Sequence, residues 1–198
     1  MSQAPPSPPR DAALEVAARL LSRWACSTAD PEPGRLDVGI GPEDLLAAVG
    51  ALCARGWGRL SAITGLDLLP VAPAGRGAAR PVAATATPPT TDLEVLYHFC
   101  AGPAVLTLRV RLPREAPTVP SLDALLPYAS FFERELAELF GVTVAGMSDP
   151  ARLLLPDEWP EGVYPLRKDA ALPPAPRGDP DTSGSAGRPA PGGEQTGD

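Results

Sequence analysis

Two runs of alternating apolar residues, separated by a short loop, most constrain what this chain can form. In residues 93–100, Leu93, Val95, Tyr97 and Phe99 share one face. In residues 105–112, Leu106, Leu108, Val110 and Leu112 do the same, with Thr107, Arg109 and Arg111 opposite. A period of two fits a half-buried strand and not a helix. Ala101-Gly102-Pro103-Ala104 joins the two runs as a hairpin loop. An antiparallel pair is therefore expected, each strand with one apolar face to bury. His98 falls opposite Tyr97, where a lone strand histidine is expected to be packed or half-exposed.

The covering elements are legible upstream. Asp11 can cap a helix running to about Trp24, with Leu14, Val16, Ala17, Leu20, Leu21 and Trp24 as its apolar stripe. Residues 26–34 form a turn-rich break, and residues 35–40 have the pattern of a short strand. Gly41-Pro42-Glu43-Asp44 is a helix start, with proline at the first position and carboxylates where the dipole favours them. That helix should stop near Arg55, with Gly56 just beyond it. Residues 57–67 are the next strand. The expected fold class is α+β: a small mixed or antiparallel sheet packed against helices, within one domain over residues 11–169.

The chain holds 27 prolines and 19 glycines, and their location marks what cannot join a core. Residues 1–10 are expected to be a disordered N-terminus. Residues 70–91 are expected to be a flexible insertion, and residues 170–198 a disordered tail too poor in large apolar side chains to offset chain entropy. A net charge of −7 argues against sequence-independent binding to phosphates, so no nucleic-acid partner is expected. Cys26, Cys53 and Cys100 lie far apart, and His98 is the single histidine. A zinc site or an iron–sulfur cluster built from this chain alone is therefore not expected. No apolar run approaches the roughly 20 residues that span a bilayer, and the first ten residues lack a signal-peptide apolar region. Membrane association is expected only through a partner.

Charged residues enter an apolar pattern in residues 130–169. Ser121 can cap a short helical turn, Pro127 permits a new helix to Phe140, and Gly141 stops it. At about 100° per residue, Tyr128, Phe131, Phe132, Leu136, Leu139 and Phe140 cover one broad face. Glu135 lands inside that face, Glu133 lies on one flank, and Arg134 and Glu138 lie on the other. A carboxylate at Glu135 must then be paired, hydrogen-bonded or protonated. One reading makes it an ion-pair anchor for Arg152, Arg167 or Lys168; the other draws an acid/base pair from Glu133, Glu135 and Glu138. The aromatic surroundings favour the anchor. Residues 152–169 should form an extended arm, because Pro156, Pro160 and Pro165 forbid regular pairing. Its Arg152, Trp159, Tyr164 and Arg167 are interface-type residues, directed either at the domain's own sheet or at another subunit.

Glu-Arg-Glu-x-x-Glu-Leu-Phe-Gly (Glu133 to Gly141), Arg-Leu-Leu-Leu-Pro (Arg152 to Pro156) and Pro-Leu-Arg-Lys-Asp (Pro165 to Asp169) together resemble one family. It is that of the hydrophilic peripheral-arm subunit of the proton-pumping NADH–quinone oxidoreductases, respiratory complex I. Close relatives occur in energy-converting membrane-bound hydrogenases. The resemblance covers roughly residues 44–169 and extends to Val119-Pro-Ser-Leu, Tyr97-His98 and residues 60–67. It implies a scaffold with no redox centre and no catalytic residue of its own. NADH, FMN, iron–sulfur clusters and quinone would belong to the assembled complex. Its partners would be the subunits holding the terminal iron–sulfur cluster and the quinone site, on the cytoplasmic side of the cell membrane. Glu133, Arg134, Glu135, Glu138, Gly141, Arg152, Trp159, Pro165, Leu166, Arg167, Lys168 and Asp169 would then set subunit geometry. A stand-alone protein-binding module is the alternative of a different class.

Overall fold

The computed structural model describes residues 10–70 and 92–173. The segments expected to be the disordered N-terminus, the flexible insertion and the disordered tail lie outside the described residues, except at residues 10, 70 and 170–173.

The expected hairpin is the middle of the sheet. Strands β4 (Leu93–Ala101) and β5 (Ala104–Leu112) pair antiparallel from Leu93↔Leu112 to Ala101↔Ala104, leaving Gly102 and Pro103 as the turn. Gly102 supplies the positive φ (57°) that this tight turn requires. On one side β4 pairs antiparallel with β3 (Arg59–Asp67). On the other, β5 pairs in parallel with β2 (Arg35–Ile40), which pairs antiparallel with β1 (Ser27–Ala29). The order is β1-β2-β5-β4-β3, a mixed five-stranded sheet. Residues 26–34 thus contain a strand that glycine and proline composition had marked only as a break. Its three residues are all exposed, so no alternation could reveal it.

Helices α1 (Arg10–Leu21), α2 (Leu45–Arg55) and α3 (Ala129–Phe140) supply the cover. Ala13, Ala17 and Leu21 of α1 and Leu45, Ala48, Val49 and Leu52 of α2 join one core with Val38, Val95, Tyr97, Phe99, Leu108 and Val110 of the sheet. Helix α1 ends three residues earlier than its stripe suggests. Trp24 instead closes a turn, its N–H donating to Leu21 O at 2.9 Å. Trp57 ties the loop after α2 to α1 by donating Nε1–H to Ala13 O at 2.7 Å. Gly56 stops α2 in the left-handed conformation, as its position predicts. The proline-rich stretch before α3 hides a strand as well. Strand β6 (Thr118–Pro120) pairs in parallel with β7 (Thr143–Ala145), just beyond α3, and so brackets that helix at both ends.

Gly58, at the entry to β3, has φ +62°, and a Cβ there would stand 2.7 Å from Cys100 O. Gly58→Ala is expected to cost about 1–3 kcal/mol through backbone strain and this close approach. Urea unfolding measures it; an unchanged midpoint would contradict the geometry.

Candidate functional site

Helix α3 carries the charged motif, and its orientation differs from that expected from hydrophobicity. Its buried residues are Ala129, Glu133 and Leu136, at i, i+4 and i+7. Glu133 is 1% exposed, whereas Glu135 is exposed. Phe131 and Tyr128, expected in the core, are 58% and 43% exposed. The helix is therefore turned so that a carboxylate faces inward and an aromatic pair faces outward. The inward carboxylate is fully matched: Ser121 Oγ–H donates to Glu133 Oε2 at 2.6 Å, and Leu122 N–H donates to Oε1 at 2.5 Å. Ser121 also caps its own turn, accepting from Asp123 N at 3.1 Å. Burial pushes the Glu133 carboxyl above the usual range, with the Leu122 and Ser121 hydrogen bonds opposing and the nearby Asp123 charge adding to the rise. Glu135 is thus no buried anchor, and no ion pair joins it to Arg152, Arg167 or Lys168 among the described residues.

The rest of the motif fastens the arm, which forms neither helix nor strand over residues 152–169 and lies along its own domain. Three consecutive amides, of Leu153, Leu154 and Leu155, converge on the Glu138 carboxylate, the last two at 2.9 and 2.8 Å. Burial raises the Glu138 pKa, but these three N–H donors and the Arg134 charge outweigh it, leaving the pKa below the usual carboxylate range. One turn earlier, Arg134 donates to Ala151 O at 2.7 Å and Arg152 O at 2.8 Å, and pairs with Asp149 at 3.2 Å. Arg152 folds the next turn by donating to Pro156 O at 2.8 Å and Trp159 O at 3.0 Å. Trp159 closes it, donating Nε1–H to Val163 O at 2.8 Å.

The last motif caps the helix it follows. Gly141 ends α3 with φ +66°, and the Tyr164 ring occupies the space where a Cβ would stand. Arg167 stacks on that ring, 4.8 Å from its centroid, and donates Nε–H to Phe140 O at 2.7 Å. A cation at a helix C-terminus is favoured by the dipole as well as by the hydrogen bond. Pro165 is half-buried, and Leu166 donates its N–H to Leu139 O at 3.1 Å while its side chain stays exposed. The motif ends at Asp67, the last residue of β3. Asp67 accepts from Lys168 N and Leu69 N at 2.8 Å each and pairs with Arg114 at 2.5 Å. Burial pushes Asp67 upward, and the Lys168 and Leu69 amides with Arg114 outweigh it, so its pKa lies below the usual range. Asp169 adds a 3.4 Å contact to Arg114, and Lys168 Nζ donates to Leu69 O at 2.8 Å.

Of the three motif glutamates, Glu133 is enclosed by the 121–122 turn, Glu138 is occupied by three amides, and Glu135 is exposed. Sequence reasoning missed Asp67 and Arg114, which join segments 47 residues apart. The signal available was the inward parity of Asp67, two residues after Gly65 and four after Ile63. Glu94 was missed too. It is 2% exposed and held by Arg109 at 2.6 Å and 3.0 Å, with Asp37 on the same guanidinium at 2.8 Å. Its alternation with Val95 places it beside the arginines of β5. An open hollow of ≈ 750 Å³ beside this group is lined by Trp24, Ser27, Asp37, Glu43 and Arg111. His98 Nδ1 lies 3.2 Å from Thr107 Oγ1. Among the described residues, no three acidic, histidine or cysteine side chains stand together as metal ligands.

Comparison with known proteins converges on one family. Residues 38–176 match the family described as the 30 kDa subunit of respiratory-chain NADH dehydrogenase. An NADH-quinone oxidoreductase subunit of Moorella thermoacetica is 41% identical over 87 residues, 43% of this chain and 57% of that protein. The beta subunit of the membrane-bound hydrogenase of Pyrococcus furiosus is 40% identical over 77 residues, 38% of this chain and 44% of that protein. Formate hydrogenlyase subunit 5 of Escherichia coli is 42% identical over 65 residues, 33% of this chain but 11% of that protein. The chain thus spans from about a tenth to somewhat over half the length of these relatives. Among solved structures, a trypsin-resistant fragment of Nqo5 superposes with a TM-score of 0.51 at 26% identity, covering 71% of this chain and 99% of the fragment. A chain of an archaeal membrane-bound sulfane sulfur reductase shares the fold, with a TM-score of 0.59 at 18% identity over 79% of this chain and 84% of its own.

Two sets of variants test the site. Because the Glu133 pKa is raised in the folded state, the unfolded chain releases this proton first as pH rises. Ionisation of Glu133 therefore lowers stability as pH climbs through that window. Glu133→Gln keeps an acceptor for Leu122 N–H and removes this dependence, so its Tm should gain on wild type as pH rises above the ordinary carboxylate range, about pH 4. Glu133→Ala should instead lose about 1–3 kcal/mol at every pH through the unsatisfied amide and hydroxyl. Parallel pH profiles for wild type and the Gln variant would refute the assignment. In the second set, Glu138→Ala should raise amide hydrogen exchange at Leu153, Leu154 and Leu155 by roughly tenfold or more. Acidification of wild type through the Glu138 pKa should do the same, because a depressed carboxylate loses its contribution as pH falls. Glu135→Ala should leave amide exchange unchanged and stability within about 0.5 kcal/mol of wild type. Equal exchange in the Glu138 and Glu135 variants would show that the carboxylate does not hold the arm.

Proposed function

The chain belongs to the family of the 30 kDa subunit of respiratory-chain NADH dehydrogenase, and we propose that it serves as a non-redox scaffold within a complex I-like oxidoreductase. The observation that supports this most directly is the use of the motif charges. Arg134, Glu138, Arg152, Arg167 and Asp67 all bind backbone groups of the arm or of the helix and strand it follows. Charges used in this way hold the backbone of the arm in place, which is what a scaffold requires. Hydrogen bonds to charged partners are worth about 1.5–3 kcal/mol each, enough to fix an arm that has no helix or strand of its own.

In this role the chain stands beside the subunits that hold the terminal iron–sulfur cluster and the quinone site. NADH, FMN, iron–sulfur clusters and quinone belong to the assembled complex, as does electron transfer coupled to proton translocation. The chain is peripheral, on the cytoplasmic side of the membrane. None of the described helices is long and apolar enough to cross a bilayer. A hydrogenase-type assembly is the second reading. It is supported by the Pyrococcus furiosus relative, whose 40% identity matches the 41% of the quinone oxidoreductase relative.

Affinity purification of the tagged full-length chain from gently solubilised membranes of its host tests the role. The expected result is recovery of iron–sulfur and membrane-embedded subunits with quinone reductase activity. NADH as the effective donor supports the first reading, and hydrogen the second. Recovery of the chain alone, as a monomer, would overturn both.

A further inference from the structure

The arm is fastened by backbone and charge, so its apolar side chains are left over. Leu153 and Leu154 have their amides fixed on Glu138, yet their side chains are 38% and 55% exposed. Glu138 lies on the same helical line as Tyr128, Phe131 and Glu135, at i+10, i+7 and i+3. Tyr128 and Phe131 are therefore the exposed end of one stripe whose other end carries the two leucines. Leu125, in the turn before α3, is also 41% exposed. An aromatic–leucine surface held rigid by charged clamps is pre-organised for contact with another molecule, since little side-chain or backbone freedom remains to be lost.

The exposed charges that neighbour these residues along α3 and along the arm define that molecule. Arg134 and Arg152 direct their guanidinium groups at backbone carbonyls. Glu135, Asp157, Glu158 and Glu161 are exposed, and none of the four enters an ion pair among the described residues. We infer that Tyr128, Phe131, Leu153 and Leu154 form the centre of a docking surface for a separate polypeptide that presents an apolar patch rimmed by lysine and arginine. This deepens the proposed scaffold role and rests on it for the partner's setting. Aromatic residues at the centre of such a contact carry most of its affinity, while the charged rim steers association and makes it salt-sensitive.

The test places a photo-cross-linking benzoylphenylalanine at Phe131 of the full-length chain in its host, with the same residue at Ser61 as control. Cross-linked peptides are then sequenced by mass spectrometry. The expected product from position 131, and not from 61, is a peptide of a different polypeptide in which apolar residues are flanked by Lys or Arg. Leu154→Asp should lower its yield roughly tenfold or more, and Glu135→Lys with Glu158→Lys should lower it too. All of these substitutions lie at exposed positions, and an unchanged Tm verifies that each variant folds. A cross-link to a second copy of this chain, to its own residues 174–198, or to a peptide without basic residues would overturn the inference. So would no cross-link at all. The two proposals fail separately. Unchanged recovery of oxidoreductase subunits with Phe131→Asp sinks the docking surface and leaves the scaffold role. A cross-link of the expected chemistry to a protein outside any oxidoreductase sinks the scaffold role and leaves the surface.

Discussion

A carboxylate turned into an apolar core must find donors there or be protonated, and in this protein that requirement sets the orientation of α3. Glu133 finds its donors in the turn at Ser121 and Leu122, at 2.6 and 2.5 Å. The β6–β7 ladder holds that turn in place, bringing the chain before the helix beside the chain after it. With Glu133 inward, α3 has one rotation available. Leu136 and Ala129 go to the core, and Phe131 and Glu135 go to water. The outward exposure of an aromatic follows from a polar match on the other side of the helix.

The same rotation aligns the arm. Arg134 and Glu138 come to lie on a flank where consecutive carbonyls and amides of residues 151–155 can meet them. The arm cannot form a strand with prolines at 156, 160 and 165, so its backbone groups need partners of another kind. Side-chain charges supply them. A guanidinium has several donors in a fixed fork, which suits paired carbonyls. A carboxylate has acceptor room for the three amides that Glu138 receives. The arm ends at the sheet, where Asp67 binds the Lys168 amide and Arg114 together.

The sheet itself is more conventional. One face is apolar and buried beneath the helices. On the other, Arg109 links Glu94 and Asp37 across three neighbouring strands, β4, β5 and β2. Glu94 is 2% exposed but bidentate to one guanidinium, so its burial is compensated.

The hairpin, the end of α2 at Arg55, the stop at Gly141 and the α+β class were all legible in the sequence, whereas Pro42–Asp44, expected as the first turn of α2, form a separate 3-10 turn ahead of Leu45. Each legible feature depends on neighbours a few residues away: alternation within β4 and β5, and glycine after a helix. The family motifs were legible for the same reason, being short and contiguous. Only the tertiary structure decided which glutamate of the motif is buried, that Tyr128 and Phe131 face outward, and that Arg167 caps α3. It alone revealed the clasp of Asp67 with Arg114. A helical wheel ranks positions by what a side chain gains on leaving water. The burial of Glu133 turned on what a different segment could donate to it, and the Asp67 clasp on groups 47 and 101 residues away. Hydrogen-bond partners at that separation leave no periodicity in a sequence, so the fold has to bring them together before they can be read.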